Sequence, residues 1–183
     1  MVVPRRFFFW APFAPTSRRK EYAERRVVGY TSEQMFDVVA RVDEYPKFVP
    51  WCRGVSIRVL SPNVYSADMQ IGFPPIQESY TSTVTALRPV VVKSVAEPNN
   101  RVFKHLDTTW RFTEGLPDNE KSCTLHFTLS FEFRSSLHAT LAHTFFDRVV
   151  QSMVYAFLKR AEHKYGPPSL DHFKKTTVLK KVG

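Results

Sequence analysis

The 183-residue sequence contains only two cysteines, Cys52 and Cys123, and no CxxC pair. It therefore has neither a disulfide framework nor a cysteine-rich metal site, and a chain of this length buries most of its apolar surface without disulfides. Its apolar runs are also far shorter than the roughly 20 residues of a membrane-spanning helix. The two absences predict a soluble or peripheral protein whose compartment is reducing or indifferent to thiols.

Sequence signatures of catalysis are missing as well. The six histidines show no HExxH spacing, and neither GxSxG nor a phosphate-binding glycine loop occurs. His138 and His143 lie five residues apart on a predicted helix, which is a poor arrangement for sharing a metal. We predict no catalytic residue, no metal and no cofactor, although a triad assembled in space would escape a search by spacing.

Acidic residues are scarce at the two ends of the chain. Residues 1–26 carry seven Arg or Lys against two Glu, and residues 166–183 carry four Lys against one Asp. The residues between them are nearly neutral, whereas a nucleic-acid-binding domain has a basic stripe across its folded surface. The pattern argues against a nucleic-acid partner. Basic tails suit an import signal, an anionic membrane surface or an acidic partner, or they serve only solubility.

The charge pattern also divides the chain into three parts. Residues 1–20 contain five basic residues, no acidic residue and the cluster Phe7-Phe8-Phe9-Trp10, which is typical of a mitochondrial presequence. A secretory signal is the weaker alternative because Pro12 and Pro15 interrupt the apolar run. We predict a presequence-like leader over residues 1–20, one domain over residues 21–167 and a basic C-terminal tail over residues 168–183.

Alternation with period two dominates the middle of the chain. From Cys123 to Phe133 the odd positions are all apolar and the even ones polar, which predicts a strand with one buried face. Shorter alternations on either side of Ser61-Pro62-Asn63 predict a hairpin. We predict about seven strands, mostly sequential and antiparallel, over residues 22–30, 55–59, 65–71, 81–87, 90–96, 102–112 and 123–133.

Two helices are predicted. Thr31, with Gln34 three residues later, forms a capping signal ahead of a short apolar pattern. Large apolar residues then recur every four positions from Ser136 until Gly166-Pro167-Pro168 ends the pattern. A helix of this length extends about 40 Å, enough to cross the concave face of a seven-stranded sheet.

Residues 45–52, read YPKFVPWC, form an aromatic, proline-rich corner between the first helix and the first hairpin. Proline fixes φ and lacks an N–H, so we predict that Pro46 and Pro50 lie outside any helix. Phe48 and Trp51 are then held on a stiff loop. Two interpretations stay open for them, as core plugs or as the wall of an apolar ligand pocket.

Several motifs carry a resemblance to a known family. The corner is followed by Ile71-Gly72-Phe73-Pro74-Pro75, Trp110-Arg111-Phe112, Phe131-Glu132-Phe133-Arg134-Ser135 and Phe145-Phe146-Asp147. In this order, from about residue 21 to 167, the sequence resembles the coenzyme Q-binding proteins of the START and polyketide cyclase-like superfamily. A bacterial family of ribosome-association toxins shares the fold, so the motifs are more specific for the fold than for the ligand.

The resemblance implies an α+β helix-grip fold, in which a curved antiparallel sheet wraps around the long C-terminal helix. It also implies a non-enzymatic protein that binds ubiquinone as ligand and supports respiratory electron transport and quinone biosynthesis. The expected location is peripheral, on the matrix side of the mitochondrial inner membrane, with contact to anionic lipid and to a respiratory complex. A cyclase-like enzyme and a protein-interaction module on the ribosome or a respiratory complex remain the alternatives.

The predicted ligand-binding residues come from two kinds of argument. The motif places Phe48, Val49, Pro50 and Trp51 at the entrance of a cavity. Phe73 lies beside an apolar loop tip, which either contacts a membrane or folds back on its own sheet. Periodicity alone places a further set in the interior, for which ordinary packing between sheet and helix is the alternative: Trp110, Leu129, Phe131, Phe145, Val149 and Met153.

Overall fold

The computed structural model describes residues 19–73, 76–171 and 176–182, without the side chains at positions 73, 76, 136–148, 151 and 176. The strands are β1 (Lys20–Val28), β2 (Cys52–Ser61), β3 (Val64–Phe73), β4 (Ile76–Leu87), β5 (Val91–Ala96), β6 (Phe103–Glu114), β7 (Cys123–Phe133) and β8 (Thr176–Val182). The helices are α1 (Ser32–Ala40), a 3-10 helix (Val42–Lys47) and α2 (Ser136–Tyr165).

The strands form one antiparallel sheet in the order β2-β3-β4-β5-β6-β7-β1-β8. Neighbours in sequence are neighbours in the sheet from β2 to β7, as the hairpin-rich pattern predicts. Strand β1 then joins β7 at the far side. The helices α1 and α2 contact each other, and α2 also contacts β7. The predicted helix-grip arrangement is confirmed.

Local signals account for the helix boundaries. The Thr31 side chain accepts a hydrogen bond from the Gln34 backbone N–H at 3.2 Å, and the Gln34 side chain accepts one from the Thr31 N–H at 3.0 Å, completing the predicted capping box. At the end of α2, Gly166 adopts a positive φ of 83°, the left-handed conformation that glycine favours after a helix. The 30 residues of α2 extend about 45 Å.

One prediction about local structure was wrong. Pro46 lies inside the 3-10 helix, because the fixed φ of proline suits that conformation and a six-residue helix loses only one hydrogen bond to it. Across the described residues the sheet has eight strands, close to the predicted number of about seven, and the additional strand is β8, which pairs with β1 within the predicted C-terminal tail. The lysines of this segment are typical of a solvated tail, whereas its β-branched residues favour a strand. In the sheet, Lys180 of β8 pairs with Glu21 of β1.

The hydrophobic core lies between the helices and one face of the sheet. Leu125 and Phe127 of β7 are fully buried, as the alternation along that strand predicts, and Val154 and Leu158 of α2 are buried with them. A single layer of helix therefore covers this face of the sheet.

Candidate functional site

A cavity of about 90 Å³ lies between the sheet, α2 and the corner of residues 45–52. Strand β3 contributes Ala67, Met69 and Ile71 to its wall, while β4, β5 and β6 contribute both apolar side chains and hydroxyls. Helix α2 closes it with Met153 and Phe157. No charged side chain is among the described residues of the wall.

The four predicted entrance residues divide between two faces of the corner. Val49 and Trp51 line the cavity, whereas Phe48 and Pro50 line an outer groove of about 760 Å³ between the corner and α2. The loop is fixed by backbone hydrogen bonds from the Val49 N–H to the Tyr45 carbonyl and from the Cys52 N–H to the Val49 carbonyl, at 2.8 and 3.0 Å. The corner is therefore a thin wall between the cavity and the outside.

Two tyrosines attach the corner and β3 to the end of α1. The Tyr45 hydroxyl donates to the Val39 carbonyl at 2.6 Å, and the Tyr65 hydroxyl donates to the Ala40 carbonyl at 2.8 Å. These carbonyls belong to the last turn of the helix, where the helix itself offers no donor. Burial raises the pKa of both phenols, so they stay protonated donors.

Phe157 of α2 is the contact point between the corner and the sheet. Its ring centre lies 5.1 Å from that of Tyr45, 5.1 Å from that of Phe48 and 4.6 Å from that of Trp110 on β6. The first two contacts are edge-to-face, a geometry that adds to area burial. One side chain thus connects three walls of the cavity.

An ion pair also joins α2 to the corner, on the outer side of the aromatic contacts of Phe157. Arg160 of α2 donates to the Glu44 carboxylate at 2.8 Å, and its guanidinium lies 5.7 Å from the centre of the Phe48 ring. The hydrogen bond from Arg160 is the main cause that lowers the pKa of Glu44. Both side chains are about four-fifths buried, at 20% exposure each. The corner is therefore fastened to α2 by aromatic contacts on one side and by this pair on the other.

The predicted interior residues have different positions. Trp110 and Met153 line the cavity. Leu129 and Phe131 are buried in the core but are not in the cavity wall, and Phe131 packs instead against Phe103 and Phe133. Val149 is half-buried on α2. The side chains of Phe73 and Phe145 lie outside the described residues.

Other wall residues were absent from the sequence-based set. Phe157 belongs to the helical repeat of α2 but was not assigned to the site. Ser82, Ser94 and Thr108 are the polar members of the wall on β4, β5 and β6. Each of them is a small hydroxyl residue at an inward-facing position of its strand, where alternation would place an apolar residue. Recognising such a position as part of a site requires the register between strands, which the sequence alone does not give.

The cavity offers little acid–base or nucleophilic chemistry. Its described wall contains no carboxylate, imidazole or amine, and burial raises the pKa of its tyrosines. Burial also raises the pKa of the Cys123 thiol to about 12. Across the described part of the chain, no group of three His, Cys, Asp or Glu side chains is placed to hold a metal. None of the described helices is long and apolar enough to cross a membrane.

A sheet that packs one face against a long C-terminal helix, with an apolar cavity between them, defines the START-like class of domains. A solved structure supports this at the level of fold. The aromatase/cyclase Zhui from Streptomyces sp. R1128 superposes with a TM-score of 0.67 at 16% identity, covering 80% of this chain and 95% of that one.

Sequence comparisons give the family. Residues 28–158 match the family described as polyketide cyclase / dehydrase and lipid transport. The chain is 44% identical over 150 residues to the mitochondrial coenzyme Q-binding protein COQ10 homolog B of Xenopus laevis, covering 82% of this chain and 61% of the relative. It is 39% identical over 153 residues to the mitochondrial coenzyme Q-binding protein COQ10 of Drosophila melanogaster, covering 84% and 63%.

A bacterial relative has a different name. The ribosome association toxin RatA of Escherichia coli is 30% identical over 141 residues, covering 76% of this chain and 85% of the toxin. The chain spans less than two thirds of the length of the two coenzyme Q-binding relatives, at 61% and 63%. The protein belongs to the polyketide cyclase / dehydrase and lipid transport family. Within it, the chain belongs with the coenzyme Q-binding proteins, since it is 30% identical over 163 residues to the mitochondrial coenzyme Q-binding protein COQ10 of Dictyostelium discoideum, covering 88% of this chain and 77% of that one.

Proposed function

We propose that this protein binds ubiquinone in the cavity behind the corner and acts as a carrier or chaperone of the quinone, not as an enzyme. The observation that carries the proposal is an apolar cavity without a charged wall residue, in a family whose relatives are named coenzyme Q-binding proteins. A prenyl tail requires only apolar contact. At about 25 cal/mol per Å², burying 200 Å² of tail contributes about 5 kcal/mol.

Binding requires the cavity to open. Its volume of about 90 Å³ is well below the roughly 300–1,000 Å³ of small-molecule pockets. The thinnest wall is the corner, because Val49 and Trp51 face the cavity while Phe48 and Pro50 face the outer groove. The ligand enters by displacing this corner from α2, which breaks the contacts of Phe157 and the Arg160–Glu44 pair.

The outer groove is the face that meets the membrane. Lys47, Lys159 and Arg160 line it together with Phe48 and Tyr155, and no carboxylate is among the described residues that line it. Glu162 pairs with Lys159 and Glu44 pairs with Arg160, so these carboxylates partly balance the charge. Basic residues near a surface are attracted to anionic lipid, each by about 1 kcal/mol, within a Debye length of about 8 Å. The groove would thus orient the corner toward the matrix leaflet of the mitochondrial inner membrane.

Uptake from vesicles tests this function. The protein is mixed with cardiolipin-containing vesicles loaded with ubiquinone and then separated by gel filtration, and the quinone in the protein fraction is quantified. We expect quinone to elute in the protein fraction. When acceptor vesicles are added to the mixture, quinone should reach them at a rate proportional to protein concentration. Quinone that stays in the vesicles at every protein concentration would refute both binding and transfer.

Charge reversal in the groove tests the membrane contact separately. Lys47→Glu with Lys159→Glu should slow transfer and remove its dependence on cardiolipin. Arg58→Glu, a single charge reversal on the exposed edge strand β2, is the control and should leave transfer unchanged. Equal transfer by both variants would place the membrane contact on another surface.

A further inference from the structure

A row of hydroxyl groups crosses the sheet side of the cavity. Ser94 of β5 lies directly opposite Thr108 of β6, and Ser82 of β4 lies one diagonal step from Ser94, since Ser94 is paired with Val84. Directly opposed side chains have Cβ atoms about 5 Å apart, and diagonal ones about 7 Å. All three residues line the cavity. The row therefore forms one continuous polar strip in a wall that is otherwise largely apolar.

Ser82 is the residue of this strip that points to a ligand. Its side chain is 2% exposed, and its hydroxyl has no hydrogen-bond partner among the described residues. A buried hydroxyl without a partner costs free energy, and most buried polar groups in folded proteins are paired. An alanine at the same position would avoid that cost with almost the same shape. The serine thus costs stability in the described state and gains a partner only from something that enters the cavity.

The neighbours of Ser82 leave room for such a partner. Its two directly opposed residues across the ladders are alanines, Ala67 on β3 and Ala96 on β5. Small side chains on both sides keep the hydroxyl open to the cavity. On the far side of the cavity stand large residues of α2, Met153 and Phe157.

We propose that Ser82, Ser94 and Thr108 form the subsite for the polar headgroup of the ligand, a para-quinone ring that presents carbonyl and ether oxygens. This inference rests on the proposed function and assigns the orientation of the ligand within the site. The ring lies against the hydroxyl row on the sheet, and the prenyl tail leaves past Trp51 at the corner.

The chemistry of the strip suits this headgroup in both redox states. A quinone ring offers only acceptors, and each hydroxyl of the strip can donate to them. A quinol ring offers O–H donors, and the same hydroxyls can rotate and accept. The strip contains no ionisable group. It therefore offers the ring hydrogen bonds and no ion pair.

The test compares two ligands that share a tail and differ in the ring. Decyl-ubiquinone carries the ring oxygens, and decylbenzene lacks them; the affinity of each is measured by displacement of a fluorescent apolar dye. We expect Ser82→Ala to weaken the binding of decyl-ubiquinone about fivefold, which is the effect of losing one net hydrogen bond. The affinity for decylbenzene should be unchanged and the melting temperature equal to or above that of the wild type. Ser79→Ala, an exposed serine on the same strand, is the control and should change neither.

The outcomes separate this inference from the proposed function. Equal affinity of Ser82→Ala and the wild-type protein for decyl-ubiquinone would overturn the headgroup subsite while leaving an apolar ligand cavity intact. An equal loss for both ligands would also overturn it, because the serine would then act on the cavity as a whole. A wild-type protein that binds neither ligand would overturn the proposed function itself.

Discussion

Filling the cavity from the sheet side should separate stability from ligand binding. Ala67 is fully buried on β3 and lines the cavity beside Ser82. Ala67→Leu adds three carbons, and a carbon group fills about the volume of a water molecule, roughly 30 Å³. The added volume is about 90 Å³ on this basis, and the cavity beside Ala67 can accept it. The new side chain therefore has space without displacing its neighbours.

Ala67→Leu should stabilise the fold and weaken the binding of the ligand. Burying three carbons contributes about 0.8 kcal/mol each, and ordering a leucine side chain costs about 0.5–1 kcal/mol, so the free energy of unfolding should rise by about 1–2 kcal/mol. The ligand must then compete with the leucine for the same space. A loss of at least about 1.4 kcal/mol in binding corresponds to a tenfold weaker affinity.

The assay combines urea unfolding, followed by tryptophan fluorescence, with quinone uptake from vesicles. Ala23→Leu is the matched control, because Ala23 is half-buried on β1, where alternation with Tyr22 and Glu24 places it on the opposite face of the sheet. It should bind quinone like the wild type. Full uptake by a stable Ala67→Leu protein would refute the cavity as the ligand site. If overpacking destabilises the leucine variant, Ala67→Val, with two added carbons, repeats the test with less strain.

Three further predictions concern the corner and its supports. Trp51→Ala should lower quinone uptake while circular dichroism shows the fold retained; a variant that unfolds while its folded fraction keeps full uptake would make Trp51 a core plug. Thr31→Ala removes the cap of α1 and should cost about 1 kcal/mol in urea unfolding with uptake unchanged; no loss would show that the capping box is not formed in solution. Because Arg160 lowers the pKa of Glu44, the stabilisation from this pair is present above the unfolded pKa, near 4.5, and is lost as the pH falls through the folded pKa. Thermal melts from about pH 6 to pH 3 should therefore show a smaller decline for Arg160→Met than for the wild type, and identical slopes would contradict the pairing.

Strong local signals made much of the fold predictable. The alternation along β7 identified its buried face, and Thr31 and Gly166 marked the start of α1 and the end of α2. These signals depend on neighbouring residues alone. Strand β8 was missed because its lysines resemble a solvated tail, and only its pairing with β1 reveals a strand.

The site was less predictable because it depends on register across strands. Trp110 and Phe131 both occupy buried positions of their strands, but Trp110 meets Phe157 at the cavity while Phe131 packs among core aromatics. Alternation gives the face of a residue and not its place along the sheet. The same holds for Ser82. A single serine in a strand does not indicate a binding site until the register shows that Ala67 and Ala96 lie opposite it.

The central claim is that the cavity behind the corner holds a prenylquinone. The most direct measurement is mass spectrometry of lipids extracted from the protein after purification under native conditions from cells that make ubiquinone, with Ala67→Leu purified in parallel. We predict ubiquinone in near-stoichiometric amount with the wild type and at least tenfold less with the variant. No enrichment of ubiquinone over bulk membrane lipid in the wild type, or equal amounts in both proteins, would contradict the claim.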